Sequence, residues 1–251
     1  MPRATVITVS DACSRGQRPD LSGPEACRRL AAAGFEIDGP HVVPDEQPAI
    51  VEALRAAAQA ACHQAHNVPD IPDKAREVKW IWKEGFTRAF PSHESEYPNE
   101  ELEHRDVLVF CNHCDSPPCT RVCPTQATWK RDDGIVMMDW HRCIGCRYCV
   151  AGCPYGSRSF NWRDPRPYIQ GGIQSNFPTR TIGVVEKCNF CAERLRDGLQ
   201  PACVEAANQV PGGEGSMVFG NLADPGSEVN QVLSSQRTIT RRVALGASKS
   251  L

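Results

Sequence analysis

Residues 143–154 read Cys143-Ile144-Gly145-Cys146-Arg147-Tyr148-Cys149-Val150-Ala151-Gly152-Cys153-Pro154, a C-x2-C-x2-C-x3-C-P run without deviation. No other feature of the chain narrows its fold as much. Three closely spaced thiolates can hold three corners of one iron-sulfur cube, while the fourth, one helical turn onward, points away toward a second cube. Tetrahedral zinc prefers two C-x2-C pairs carried on separate hairpins. The run therefore predicts paired cubanes rather than a zinc ribbon, although a zinc-binding structural module stands as the alternative.

A second copy precedes it, Cys111-Asn112-His113-Cys114 through Cys119 to Cys123-Pro124, with two extra residues before its third cysteine. The copies complement each other. Cys111, Cys114 and Cys119 would hold one cube closed by Cys153 (cluster A), and Cys143, Cys146 and Cys149 another closed by Cys123 (cluster B). The intervening QATWKRDDGIVMMDWHR reads as a β-hairpin turning at Asp133-Gly134, an arrangement that flanks the clusters in bacterial ferredoxins. A third group, Cys188, Cys191 and Cys203, has Ala207 where its exchanged ligand should stand. The same spacing laid backwards from the isolated Cys62 falls on Glu52, Arg55 and Ala58, none of them a ligand thiol. One copy has lost its cube but kept its exchanged ligand, so Cys62 is expected to complete cluster C with Cys188, Cys191 and Cys203. Three 4Fe-4S clusters then use twelve of the fourteen cysteines. Cys13 and Cys27 are left as ordinary thiols, and His113 and His141 as neighbours of ligands or solvent-facing groups, since a Rieske centre needs paired histidines in place of two cysteines.

The remaining composition excludes several classes. Disulfide scaffolds are mostly short secreted chains lacking a core, whereas this chain has 251 residues, 41% of them hydrophobic, and shows no export signal at MPRATVITVSDAC. Arg28-Arg29 is followed by LAAAGFEIDGP, too short and too soon acidic for a twin-arginine leader, and reads as the wet side of a helix. A net charge of −2 gives no basic footprint for nucleic acid. No stretch reaches the eighteen apolar residues of a membrane span.

Before the clusters, TVITVS (residues 5–10) reads as a buried strand, GPEACRRLAAAG as a helix stopped by Gly34, FEIDGPHVVP as extended and EQPAIVEALRAAAQAAC as a second helix. This is the opening of an α/β sheet with no third strand to continue it. Trp80, Trp82, Phe86 and Phe90 are expected in the core, DVLVF is a strand running into Cys111, and NLADPGSEVNQVL is a turn and helix before a basic end. The basic end and the stretch around Trp80 and Trp82 are also candidates for docking on a membrane partner. The fold class expected is α+β: tandem, interleaved bacterial-ferredoxin-like modules behind a truncated α/β segment. Domains are placed at 1–57, at 58–233 (inner module about 104–160, outer module 58–103 plus 161–233), and at 234–251 as a polar tail.

AACHQAHNVPDIPD, KWIWKE, the whole stretch 107–167, VVEKCNFCAERLRDGLQPACVEA and VFGNLADPGSEV together resemble the iron-sulfur electron-transfer subunits of the dimethyl sulfoxide reductase type. Within these, the likeness is to the ferredoxin-like subunit of the transmembrane complex linked to dissimilatory sulfite reductase, over about 59–245. The resemblance implies single-electron relay in sulfur-compound respiration, between an integral-membrane quinone-interacting subunit and a further redox subunit, cytochrome or reductase, with no catalytic centre in this chain. It implies a place peripheral to the membrane, on the periplasmic face, while the missing export signal leaves the cytoplasmic face open. The family usually has four cysteine groups; here the first keeps only Cys62. Residues 4–57 resemble the first third of a molybdopterin adenylyltransferase. Only Asp11 and Ser22-Gly23-Pro24 correspond to site residues, and the glycine-rich pterin-binding stretch is missing, so no adenylyl transfer is expected from this vestigial fusion.

Overall fold

The computed structural model describes residues 3–9, 19–43, 47–90 and 105–235. Asp11, Cys13, the acidic stretch 91–104 and the basic end from 236 lie outside them. The chain divides into two compact units, Met1–Ala60 with Ala202–Phe219, and Ala61–Pro201 with Gly220–Leu251.

In the first unit β1 (Arg3–Val9) and β2 (Glu36–Val43) pair in parallel, Arg3 opposite Glu36 and Val9 opposite Val43. Parallel neighbours need a crossover, which α1 (Ser22–Ala32) supplies. The helix begins where Asp20 Oδ1 accepts from the backbone N–H of Ser22 and Gly23, at 3.1 and 3.0 Å. It ends at Gly34, whose φ of +87° lets the N–H of Phe35 turn back to Leu30 O. Arg28 and Arg29 both clasp Glu25 and are 75% and 80% exposed, as the wet-face reading requires. No third strand joins this pair among the described residues. Helix α2 (Gln47–Ala65) follows and carries Cys62 near its end.

The second unit is built on small antiparallel ladders. β3 (Ile81–Gly85) pairs with β4 (Asp106–Phe110), and Trp82, Val109 and Ala89 of α3 (Phe86–Ala89) form a core beneath them. Trp80 and Trp82 are 0% and 4% exposed. Both rings are interior packing, and the expectation that they present a docking surface is corrected: apolar area of that size is removed from water rather than held open for a partner. After α4 (Pro118–Arg121), β5 (Thr128–Lys130) and β6 (Val136–Met138) form the predicted hairpin. Its turn runs through Gly134 at φ +89°, with Asp133 Oδ1 accepting from the N–H of Ile135. Helix α5 (Tyr148–Ala151) leads to β7 (Ser159–Phe160), which pairs with β8 (Val185–Glu186), and α6 (Ala192–Arg196) follows. A second core joins Cys119, Val136, Met138, Cys149 and Val185, so two of the thiols are themselves core residues. α7 (Ala202–Gln209) belongs to the first unit, and α8 (Glu228–Ser235) is the helix expected after NLADPGS. Among the described residues no helix is long and apolar enough to cross a membrane.

Candidate metal centres

Four thiols surround one cavity. Cys111 leaves the end of β4, Cys114 follows three residues later, Cys119 sits on α4 and Cys153 just past α5; all four line the same enclosure, with Val136, Tyr155 and Arg158 in its wall. Burial, then the neighbouring thiols of Cys111, Cys119 and Cys153, push the Cys114 thiol up to about 11. Burial also raises Cys153, against the backbone N–H groups of Ser157 and Tyr155. Thiols held this close resist losing their protons unless a cationic core takes the place of those protons, as iron does. The donor set suits a cubane: sulfur only, four in number, Cys119 buried and the other three half-buried.

The second group lies on the loop 143–149. Cys149 is buried and its thiol is raised by burial, with Arg158 working against and Cys143 and Cys119 adding to the rise. Cys143 packs on the core that holds Cys119 and Cys149. Cys146 is half-buried, while Ile144 and Tyr148 on the same loop are 67% and 65% exposed. Cys123, half-buried after α4, behaves differently. Burial disfavours its thiolate, but the Thr125 hydroxyl and the backbone N–H groups of Thr128, Ala127 and Thr125 outweigh that and lower its pKa.

The loops repeat one another in backbone as well as in sequence. The residue before the second cysteine of each C-x2-C pair is left-handed in all three: His113 at φ +44°, Gly145 at +71° and Phe190 at +61°. Such a turn gathers consecutive N–H groups on one side, where they can face anionic sulfur; in the third loop the N–H of Phe190 donates to Cys188 Sγ at 3.3 Å. The turns after Cys123 and Cys153 match too, with Gln126 (φ +53°) and Gly156 (φ +64°) donating to the carbonyls of Cys123 and Cys153. Only glycine suits the second loop. A Cβ on Gly145 would stand 2.3 Å from the carbonyl oxygen of Gly183.

The third group expected from the sequence draws on distant segments. Cys188 follows β8; burial raises its thiol, Lys187 opposes the rise and Cys111 adds to it. Cys191 is buried at the start of α6, and its N–H donates to Asn189 Oδ1 at 2.9 Å. Cys62 is 4% exposed, with Sγ 3.9 Å from His66 Nδ1. His66 donates through Nδ1 to Cys62 O at 2.9 Å, and its Nε2 lies 2.6 Å from Glu193 Oε1. Ligand atoms of His66, Cys191 and Glu193 all fall within 4.8 Å of one another. His66 thus ties the helix of Cys62 to the helix that follows Cys191. Cys203 lies on α7, in the other unit.

A buried polar cluster holds these segments. Arg180 and Glu186, both 0% exposed, form an ion pair at 2.6 Å. Glu186 also accepts from Trp80 Nε1 at 3.0 Å and Asn161 Nδ2 at 2.6 Å. Arg180 donates to the carbonyls of His66 and Asn67, anchoring the backbone just beyond Cys62. None of these groups stands out in the sequence, because charged residues are ordinarily surface residues. Of the two histidines beside ligand cysteines, His113 is interior: Nδ1 accepts from the N–H of Val136 at 3.0 Å, and burial, then Lys187 and Arg158, disfavour its charged form. His141 is exposed, and Cys27 is a half-buried free thiol.

Fold and thiol geometry define a cluster-binding electron carrier, and comparison with known proteins gives the same class. Residues 107–166 match the family described as 4Fe-4S dicluster domain, and residues 5–65 match a molybdopterin binding domain family. Over 201 residues the sequence is 38% identical to Hdr-like menaquinol oxidoreductase iron-sulfur subunit 1 of Archaeoglobus fulgidus, covering 78% of this protein and 71% of that one. The iron-sulfur cluster-binding subunit of menaquinone reductase from Nitratidesulfovibrio vulgaris is 33% identical over 207 residues, 72% of this protein and 75% of its own length. A component of the polysulfide reductase of Wolinella succinogenes is 30% identical over 196 residues, 78% of this protein and 84% of its own length. The protein belongs to the iron-sulfur subunits of these oxidoreductases: it binds 4Fe-4S clusters and relays electrons, and it is not a catalytic subunit.

Proposed function

We propose that the protein holds three 4Fe-4S clusters in a line and passes electrons singly between a quinone-reactive membrane subunit and a further redox subunit, in the respiration of a sulfur compound. Cluster A takes Cys111, Cys114, Cys119 and Cys153; cluster B takes Cys143, Cys146, Cys149 and Cys123; cluster C takes Cys188, Cys191, Cys62 and, from the cysteine spacing, Cys203. The observation that carries the reading is the single cavity shared by the four thiols of cluster A, one of them, Cys153, drawn from the 143–154 run. Shared packing and charge neighbours support an order along the line. Cys149 of B neighbours Cys119 of A, and Cys188 of C neighbours Cys111 of A. Cluster A is then the middle relay, and B, on the loop that exposes Ile144 and Tyr148, is an end.

Each cube changes oxidation state with little movement of its ligands, and the protein tunes the potential through burial, charge and hydrogen bonds to sulfur. The ferredoxin-like modules are interleaved in this reading, the inner at about 104–160 and the outer from 58–103 plus 161–233, behind the segment 1–57. The names of the relatives support a membrane-associated complex with quinol on one side and a sulfur compound on the other. Anaerobic reconstitution followed by iron analysis tests the count: three cubes require about twelve irons per molecule. Cys62→Ala should bring that to about eight and leave A and B intact. Full iron and an unchanged spectrum in that variant would remove Cys62 from the ligand set.

A further inference from the structure

Arg158 is 4% exposed, and no carboxylate pairs with it among the described residues. Its Nη1 donates to Thr128 Oγ1 at 3.1 Å and approaches Met138 Sδ at 3.3 Å, while its buried Nη2 has no hydrogen-bond partner. Arg158 lines the cavity of Cys111, Cys114, Cys119 and Cys153. Cys119 and Cys149, ligands of two different clusters in the reading above, pack in one core with Met138, the residue Nη1 approaches. Arginine keeps its charge at any pH a protein survives. A permanent cation out of water with nothing anionic beside it is costly, so its counter-charge has to come from what it faces. The sulfurs of Cys119, Cys149 and Cys111 are its electrostatic neighbours.

We propose that Arg158 is a positioning and tuning cation shared by clusters A and B, which raises the reduction potentials of both and leaves cluster C unaffected. When either cube accepts one electron, its net charge falls by one and no bond is made or broken. The nearby guanidinium stabilises the more negative state. Because one cation serves two cubes, the pair forms a matched stretch of the relay. Thr128 aims the group and Met138 shields it from water.

The inference rests on the assignment of A and B, and the two can fail separately: iron content of the unmutated protein tests the assignment, whereas potentials test Arg158. Reconstituted R158Q, R158K and unmutated protein would be titrated anaerobically with dithionite against redox mediators, reading each cluster by electron paramagnetic resonance. In R158Q the reduced-to-oxidised ratio of A and B at a fixed poise should fall about tenfold, equivalent to ~59 mV for a one-electron couple. Cluster C should not move, and R158K should recover most of the loss. Fully loaded R158Q with unchanged potentials, or with all three clusters shifted alike, overturns the proposal. Should R158Q fail to load iron, Thr128→Val decides: it removes the acceptor that aims the guanidinium and keeps the charge. A severalfold shift confined to A and B supports the proposal, and unmoved potentials overturn it.

Discussion

The sites proposed at Cys111–Cys153 and the site proposed at Cys62, Cys188 and Cys191 would meet the same demand by different means. In the first region the ligands come from two short loops, and the backbone itself sets the geometry: left-handed residues before the second cysteines, matching turns after Cys123 and Cys153, and Pro118 opening α4. In the second region the proposed ligand Cys62 comes from a helix more than a hundred residues before Cys188, so no loop could fix their separation. A buried ion pair takes over that task, with Arg180 gripping the carbonyls beyond Cys62 and Glu186 lying two residues before Cys188. Local sites are held by conformation, distant ones by interior electrostatics.

The contrast is broken most forcefully at Glu186. Glu186→Ala leaves the Arg180 charge buried and alone, which should cost about 3–5 kcal/mol in denaturant unfolding and release the iron of cluster C before that of A and B. R180M combined with E186L should recover part of the loss, because a packed apolar pair does not carry a stranded charge. Gly145→Ala tests the other region. Its φ of +71° and the approach to Gly183 O should cost about 1–3 kcal/mol and make cluster B labile to chelator while C persists. Gly134→Ala strains only the hairpin turn, where a Cβ meets nothing within 4 Å, so about 1 kcal/mol is expected with all clusters retained. Iron retention beside each unfolding curve separates the two modes of support.

Much of the first region is legible in the sequence alone, for the same reason that it is held locally. Ligand spacing, the Asp133-Gly134 turn and the strand before Cys111 are all encoded within a few residues of where they act. The second region is legible only as arithmetic, a spare Cys62 and a missing ligand. Arg180, Glu186, Asn67 and Asn161 carry no spacing signal, because their partners lie up to 114 residues away. Arg158 and Lys187 escape notice likewise: each stands within five residues of a cysteine, but so do exposed cations such as Arg121 and Arg147. Among the aromatics the core reading of Trp80 and Trp82 holds, each indole N–H finding a carboxylate, Trp80 that of Glu186 and Trp82 that of Glu84. The parallel pair at the N-terminus is readable from β-branched runs, and the same lack of a third strand that marks it as truncated is found among the described residues.

Glu186, Lys187 and Cys188 are consecutive, and each side chain has a different destination. Glu186 meets Arg180, Lys187 reaches across to the carbonyl of Val136 in the hairpin, and Cys188 offers its sulfur. Extended backbone sends neighbouring side chains to opposite sides, so inserting or deleting one residue here would misdirect all three at once. Length variation among natural relatives is therefore expected to collect in turns such as 170–176 and to spare this tripeptide, whose phasing works as a molecular keyway.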